Sequence, residues 1–238
     1  MYDLLIAFAT GLVAGLAHVY MGADHLAALM PLSVGRKLKA AWMGVRWGAG
    51  HSIGVIIVAI IFLAVRRAVN IDPVSAWGER IVGIMMIGLG ILGIRAAMKH
   101  KLHVHQHAHD GSEHAHLHVH AGDGHKPDEA GDEHSHLHTH AALAAGTLHG
   151  VAGMAHLMGV LPSLAFPTLK QSFMFLMAFA IGTIFGMAAF AAAFGTITAK
   201  LGDKSPKLVK ISMWFAAVIC IVVGIAWITV PLLGYELP

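Results

Sequence analysis

The chain has 238 residues, of which 57% are hydrophobic and only 12% charged, about half the charged share of an ordinary soluble domain. Its formal charge of +3 leaves nineteen histidines uncounted. Most Lys and Arg cluster around the ends of long apolar runs and build no basic-aromatic surface, which argues against a soluble globular domain and a nucleic-acid binder and points to a chain solvated by lipid.

The first apolar run covers 4–30. It opens Met1-Tyr2-Asp3 with no basic segment ahead and no small-residue cleavage site behind, so it is expected to stay as a helix and not to leave as a signal peptide. Further runs near the roughly 20 residues that cross a hydrocarbon core predict helices at 41–65, 78–97, 141–161, 172–198 and 211–233. The single cysteine, Cys220, lies in the last of these, cannot form an intrachain disulfide, and reads as a packed residue.

Six spans sort the basic residues. Arg36, Lys37, Lys39 and Arg46 follow the first helix, Arg95, Lys99, Lys101 and Lys126 the third, and Lys200, Lys204, Lys207 and Lys210 the fifth. These twelve stand against four on the other side, Arg66, Arg67, Arg80 and Lys170. Cytoplasmic loops carry the excess of Lys and Arg, so both termini are expected outside a prokaryotic plasma (inner) membrane.

Residues 98–140 form a different material, with fourteen histidines and seven acids in the stretch. Too little apolar surface is present to fold it alone, which predicts a disordered cytoplasmic loop. In H-V-H-Q-H-A-H (103–109), H-A-H-L-H-V-H (114–120) and H-S-H-L-H-T-H (134–140), imidazoles recur at every second position. At this density they bind Ni, Zn, Cu or Co with modest affinity and little selectivity, as a metal-collecting arm would. An affinity tag would be terminal and uniform; this stretch is internal, irregular and mixed with acids.

The loop divides the chain into 1–97 and 141–238, and the two parts repeat. At a constant offset of 131 residues, Gly15, His18, Gly22, His25, Leu26 and Pro31 meet Gly146, His149, Gly153, His156, Leu157 and Pro162. One residue out of step, Gly50 and Gly54 face Gly182 and Gly186. Three helices per part make the second copy run inverted, an arrangement of secondary transporters whose site lies where the copies meet. The expected fold is therefore an all-α membrane protein of six transmembrane helices in two inverted three-helix repeats.

Five histidines and one acid lie inside apolar runs: His18, Asp24, His25, His51, His149 and His156. An ionisable group in hydrocarbon costs several kcal/mol, so such groups face the bundle interior and mark a site or pathway. Imidazole and carboxylate together suit Ni, Co, Zn or Cu, while Ca and Mg prefer all-oxygen cages. His18 and His25 share a helix face but stand about 10 Å apart along an unbroken axis, as do His149 and His156. Gly22 and Gly153 fall between the members of each pair, where unwinding could close the gap. Gly50, Ser52 and Gly54 around His51 permit close helix approach, so His51 could complete a site. The second copy lacks the carboxylate, since Ala155 stands opposite Asp24 and Thr183 opposite His51. Met21, Met154 and Met158 offer thioethers but read as core filler.

These motifs resemble those of the HupE/UreJ group and its relatives, the NiCoT and NicO/UreH-type nickel and cobalt transporters. The first-helix signature of that group, His, five residues, then Asp-His, is similar to H-V-Y-M-G-A-D-H, carrying His18, Asp24 and His25. The NiCoT version has four intervening residues. G-A-G-H-S (48–52) resembles the second-helix element of NiCoT and UreH-like proteins, and H-G-V-A-G (149–153) the element opening their second half. The resemblance implies nickel or cobalt permeation with these His and Asp residues as ligands.

The expected activity is transport of a divalent transition metal, with the ion as substrate and no resident cofactor. The bilayer is one partner and a cytoplasmic metallochaperone another. The rival is an intramembrane zinc hydrolase using the histidines and Asp24, with or without Ser52, around an activated water. A bis-histidine haem protein is a third reading.

Overall fold

The computed structural model describes residues 2–65, 72–99, 103–109, 112–118, 133–152 and 160–233. Among them the helices are α1 (Tyr2–Met21), α2 (Ala23–Ser33), α3 (Lys39–Val65), α4 (Asp72–Lys99), α5 (Glu133–Ala152), α6 (Leu161–Ala165), α7 (Leu169–Lys204) and α8 (Pro206–Leu232). Five of them, α1, α3, α4, α7 and α8, contain stretches long and apolar enough to cross a membrane. The apolar part of α5, Ala141–Ala152, is shorter. The fourth expected span runs on from it into 153–159, outside the described residues. Ile60, Phe185 and Val222 are each more than half exposed on the bundle's outer faces, an arrangement that water penalises and lipid does not. The protein is a membrane protein.

Local chemistry explains where the helices stop. Thr168 caps α7: its hydroxyl accepts from the Gln171 amide while the Gln171 side chain takes the Thr168 N–H, a reciprocal capping box. At the other end Ser205 is extended (φ −163°, ψ 127°), as the residue before Pro206 must tend to be, and Pro206 opens α8 in the first-turn position where its missing N–H costs nothing. The helix expected at 172–198 therefore reaches from Leu169 to Lys204, its polar ends continuing the backbone ladder beyond the apolar run.

Three further features depart from expectation. The first helix, read as one element over 4–30, is broken at Gly22 (φ −79°, ψ 100°) into α1 and α2. Within the stretch expected to be disordered, β1 (His103–His109) and β2 (Ser112–His118) pair antiparallel, with His103 opposite His118, His105 opposite His116 and His107 opposite His114. Alternation of period two is the strand period, and backbone pairing exploits it without a core. Similarly, α5 begins at Glu133, eight residues before the expected start at 141, because the last histidine tract continues the helix.

The bundle is held together through glycines. A methyl placed on Gly15 of α1 would meet the Phe179 carbonyl oxygen of α7, and one on Gly146 of α5 would meet the Trp47 carbonyl oxygen of α3. Gly50 lies against the Leu143 carbonyl and Gly182 against the Leu12 carbonyl. At the offsets of 131 and 132 residues found in the sequence, each contact in these pairs is the image of the other. Gly83 of α4 and Gly224 of α8 each lie against the carbonyl of the other. The register of these contacts makes α1 parallel to α7 and α3 parallel to α5, with α4 antiparallel to α8. The two sequence halves thus interleave instead of packing as separate units. One apolar cluster, for example, joins Ala7, Val55 and Phe175 from both halves.

Candidate metal site

The break at Gly22 builds the site. An intact helix would leave His18 and His25 about 10 Å apart, whereas the two ring centroids lie 4.3 Å apart, edge to face. A side chain at Gly22 would run into His25 Nδ1 and come within 2.9 Å of Asp24 Oδ1 and 3.0 Å of the His18 carbonyl oxygen. Only the missing Cβ lets the chain double these groups onto one another.

Neighbouring helices bring the rest. His51 on α3 stacks on His18 at 5.3 Å between centroids, and the two Nε2 atoms are 3.2 Å apart. His149 on α5 lies 4.6 Å from the His25 ring. The small residues found in the sequence supply the closeness, since Gly54 rests on the Thr147 carbonyl and Gly150 on the backbone of His51. His18, Asp24, His25, His51 and His149 are all buried, none more than 6% exposed.

Asp24 sits at the centre of the polar contacts. Its Oδ1 accepts from His25 Nδ1 and its Oδ2 from His149 Nε2, both at 2.8 Å. A buried carboxylate without partners would cost several kcal/mol; two imidazole N–H donors offset that. Among the described residues three imidazole nitrogens, His25 Nε2, His51 Nδ1 and His149 Nδ1, are buried with no hydrogen-bond partner. Nitrogen lone pairs are costly to bury empty and are what a borderline metal takes. Two sets of three groups stand close enough to hold an ion, His18 with His25 and His51, and Asp24 with His25 and His149, the potential ligand atoms of each set lying within 4.8 Å of one another.

The structure thus brings together five of the six residues singled out in the sequence. The sixth, His156, lies outside the described residues, as do Gly153, Met154 and Met158. Met21, offered as a thioether donor, is 64% exposed at the end of α1 and does not join the cluster. Ser52 is buried with its hydroxyl 3.5 Å from the Ala180 carbonyl oxygen. Two residues escaped the sequence reading. Phe179 of α7 lies 5.4 Å from the His18 ring, and Trp47, one helical turn before His51, meets the His149 ring edge to face at 6.0 Å. The repeat could have found them, since Trp47 and Phe179 stand at the 132-residue offset of Gly50 and Gly182.

A buried, mostly imidazole cluster in a membrane bundle sets the comparison with known proteins. The chain is similar to two chloroplast proteins. It is 33% identical over 229 residues to Chloroplast protein FOR GROWTH AND FERTILITY 1 of Arabidopsis thaliana, an alignment covering 96% of this chain and 60% of the relative. It is 32% identical over 236 residues to Chloroplast protein FOR GROWTH AND FERTILITY 2 of the same plant, covering 99% and 59%. The chain thus spans about 60% of the length of these curated relatives. A more distant likeness, 25% over 198 residues, covers 81% of the chain and 78% of the Urease accessory protein UreH of Bacillus sp. (strain TB-90). No family model matches the chain, and no solved structure does.

Proposed function

We propose that this protein carries a divalent transition-metal ion, nickel or cobalt before zinc, across a membrane through the cluster of His18, Asp24, His25, His51 and His149. The observation that carries the reading is the convergence of four imidazoles and one carboxylate from α1, α2, α3 and α5 at a buried point where the two sequence halves meet. Such a set replaces the water shell of a borderline cation, which hydrocarbon alone cannot do. The likeness to UreH, named for urease, supports nickel among these metals.

The transporter is read as six spans in two inverted three-helix repeats, 1–97 and 141–238. The paired glycine contacts support this, because each maps onto its partner when the halves are exchanged. The parallel pairing of α1 with α7 and the antiparallel pairing of α4 with α8 are those required when the copies face opposite ways. With twelve of sixteen basic residues on one side, the reading puts both termini outside a plasma membrane and residues 98–140 in the cytoplasm. There the loop collects metal and exchanges it with a cytoplasmic metallochaperone. His156, one residue beyond the image of Asp24 in the second copy, is read as a further metal station on the pathway.

Transport is favoured over intramembrane zinc hydrolysis by the paired glycine contacts, because inverted copies serve a two-sided pathway and have no role in hydrolysis. Uptake of radiolabelled nickel by cells producing the wild type, Asp24→Asn or His25→Ala at equal levels tests the proposal. Loss of most uptake in both variants is expected; wild-type uptake in both would remove the site.

A further inference from the structure

Five groups converge in the cluster, and the hydrogen bonds together with the spacing of the ring nitrogens distinguish those that touch the ion. A carboxylate only accepts, so the contact of Asp24 Oδ1 with His25 Nδ1 requires the proton on Nδ1. His25 is thereby held in the tautomer whose lone pair is on Nε2, and that atom is buried without a hydrogen-bond partner. The second oxygen of Asp24 is occupied in the same way by His149 Nε2, so both carboxylate oxygens are engaged by imidazole N–H groups. The pairing of carboxylate, histidine and open ring nitrogen is the one by which outer-shell acids orient metal-binding histidines.

The other side of His25 fits coordination. His18 Nε2 and His51 Nε2 are 3.2 Å apart, close to the roughly 3.4 Å expected between two nitrogens that share a tetrahedral ion at 2.0–2.1 Å. The potential ligand atoms of His18, His25 and His51 lie within 4.8 Å of one another, so closing on an ion asks for shifts of about 1.5 Å, within reach of ring rotations.

Resting on the transport reading, we infer that the ion is held by the three imidazoles of His18, His25 and His51, and that Asp24 is a positioning residue that fixes the His25 tautomer while His149 anchors its second oxygen. The first shell then holds no protein oxygen. Three neutral nitrogens select borderline ions over Mg and Ca, whose preference is for oxygen, and the negative charge of Asp24 offsets the ion's charge through the intervening ring.

The purified full-length chain in detergent, titrated with Ni2+ as probe, tests this. Infrared difference spectra with and without Ni2+, taken for wild type and Asp24→Asn, isolate the Asp24 carboxylate, since the loop contributes equally to both. Nickel-edge X-ray absorption at less than one Ni2+ per chain, which the tight site takes ahead of the modest-affinity loop, counts bound imidazoles. Expected are Asp24 stretching bands that keep the separation of a hydrogen-bonded carboxylate, and one imidazole lost in His51→Ala but none in His149→Ala. Asp24→Asn should keep the imidazole count while binding nickel about 10–100-fold more weakly. A shift of the Asp24 bands to the separation of a metal-bound carboxylate overturns the inference and leaves transport standing. So does loss of an imidazole in His149→Ala, a readout that holds even if Asp24→Asn does not fold. If wild-type spectra show no nickel-dependent change at any of these residues, the transport reading falls with it.

Discussion

Asp24 and His149 are 125 residues apart in the chain, yet Asp24 Oδ2 and His149 Nε2 lie 2.8 Å from each other in the buried centre of the bundle. The contact ties the first copy of the repeat to the second through the single carboxylate that the second copy lacks. Asp24→Ala removes the acceptor of two buried N–H groups at once, each worth about 1–3 kcal/mol when left unsatisfied. The variant should unfold at lower temperature in detergent than His149→Ala, which orphans one oxygen of a carboxylate still held by His25. Thermal unfolding followed by circular dichroism gives the order, and equal melting would remove Asp24 from its central place.

Gly22 is where a side chain has nowhere to go. Gly22→Ala puts its methyl into His25 Nδ1 and against Asp24 Oδ1, so nickel uptake should fall at least ten-fold while helix content is kept. Gly88→Ala is the control, because no described residue lies within 4 Å of a Cβ there, and it should transport as the wild type does. Equal uptake by the two variants would show that the break between α1 and α2 does not shape the site.

The repeat predicts paired effects. Gly15→Ala and Gly146→Ala press on the carbonyls of Phe179 and Trp47 in equivalent places, and each should destabilise by about 1–3 kcal/mol, the cost of overpacking a close interface. Chemical or thermal unfolding of the two variants should give similar losses. A large effect in one with none in the other would mean that the likeness of the halves is confined to sequence.

Metal competes with protons for imidazole. Binding needs neutral rings, so nickel affinity of the whole chain should fall as pH is lowered from about 7.5 to 5.5, through the ordinary histidine range. The sign is fixed: acid removes lone pairs and cannot create them. Titration calorimetry at several pH values measures it.

Removal of residues 100–132 takes away ten of the nineteen histidines but none of the buried cluster. Bound nickel per chain at saturation should drop by several ions, while a single tight, Asp24-dependent site remains. If the tight site went with the loop, selectivity would lie in the arm and not in the membrane.

Five of the spans and the buried His and Asp were legible from the sequence because lipid imposes simple rules: about 20 apolar residues per crossing, and no isolated ionisable group without a purpose. The helix break was readable only as an option. Gly22 permits an extended ψ, but a glycine in a membrane helix is more often a packing residue, and Gly88 has the same chemistry with no described residue within 4 Å of a Cβ placed there. Strand pairing in the loop is not legible from its composition, which holds few apolar residues, although the alternation of histidine carries the strand period.

By itself the sequence determined the solvent of this protein, its two related halves and the residues able to hold a metal, since these follow from composition, spacing and side-chain chemistry along one chain. Only the tertiary structure decided which nitrogens stay open and which are held by Asp24. That depends on how helices far apart in sequence approach through their glycines, a matter of packing between elements that no single element records.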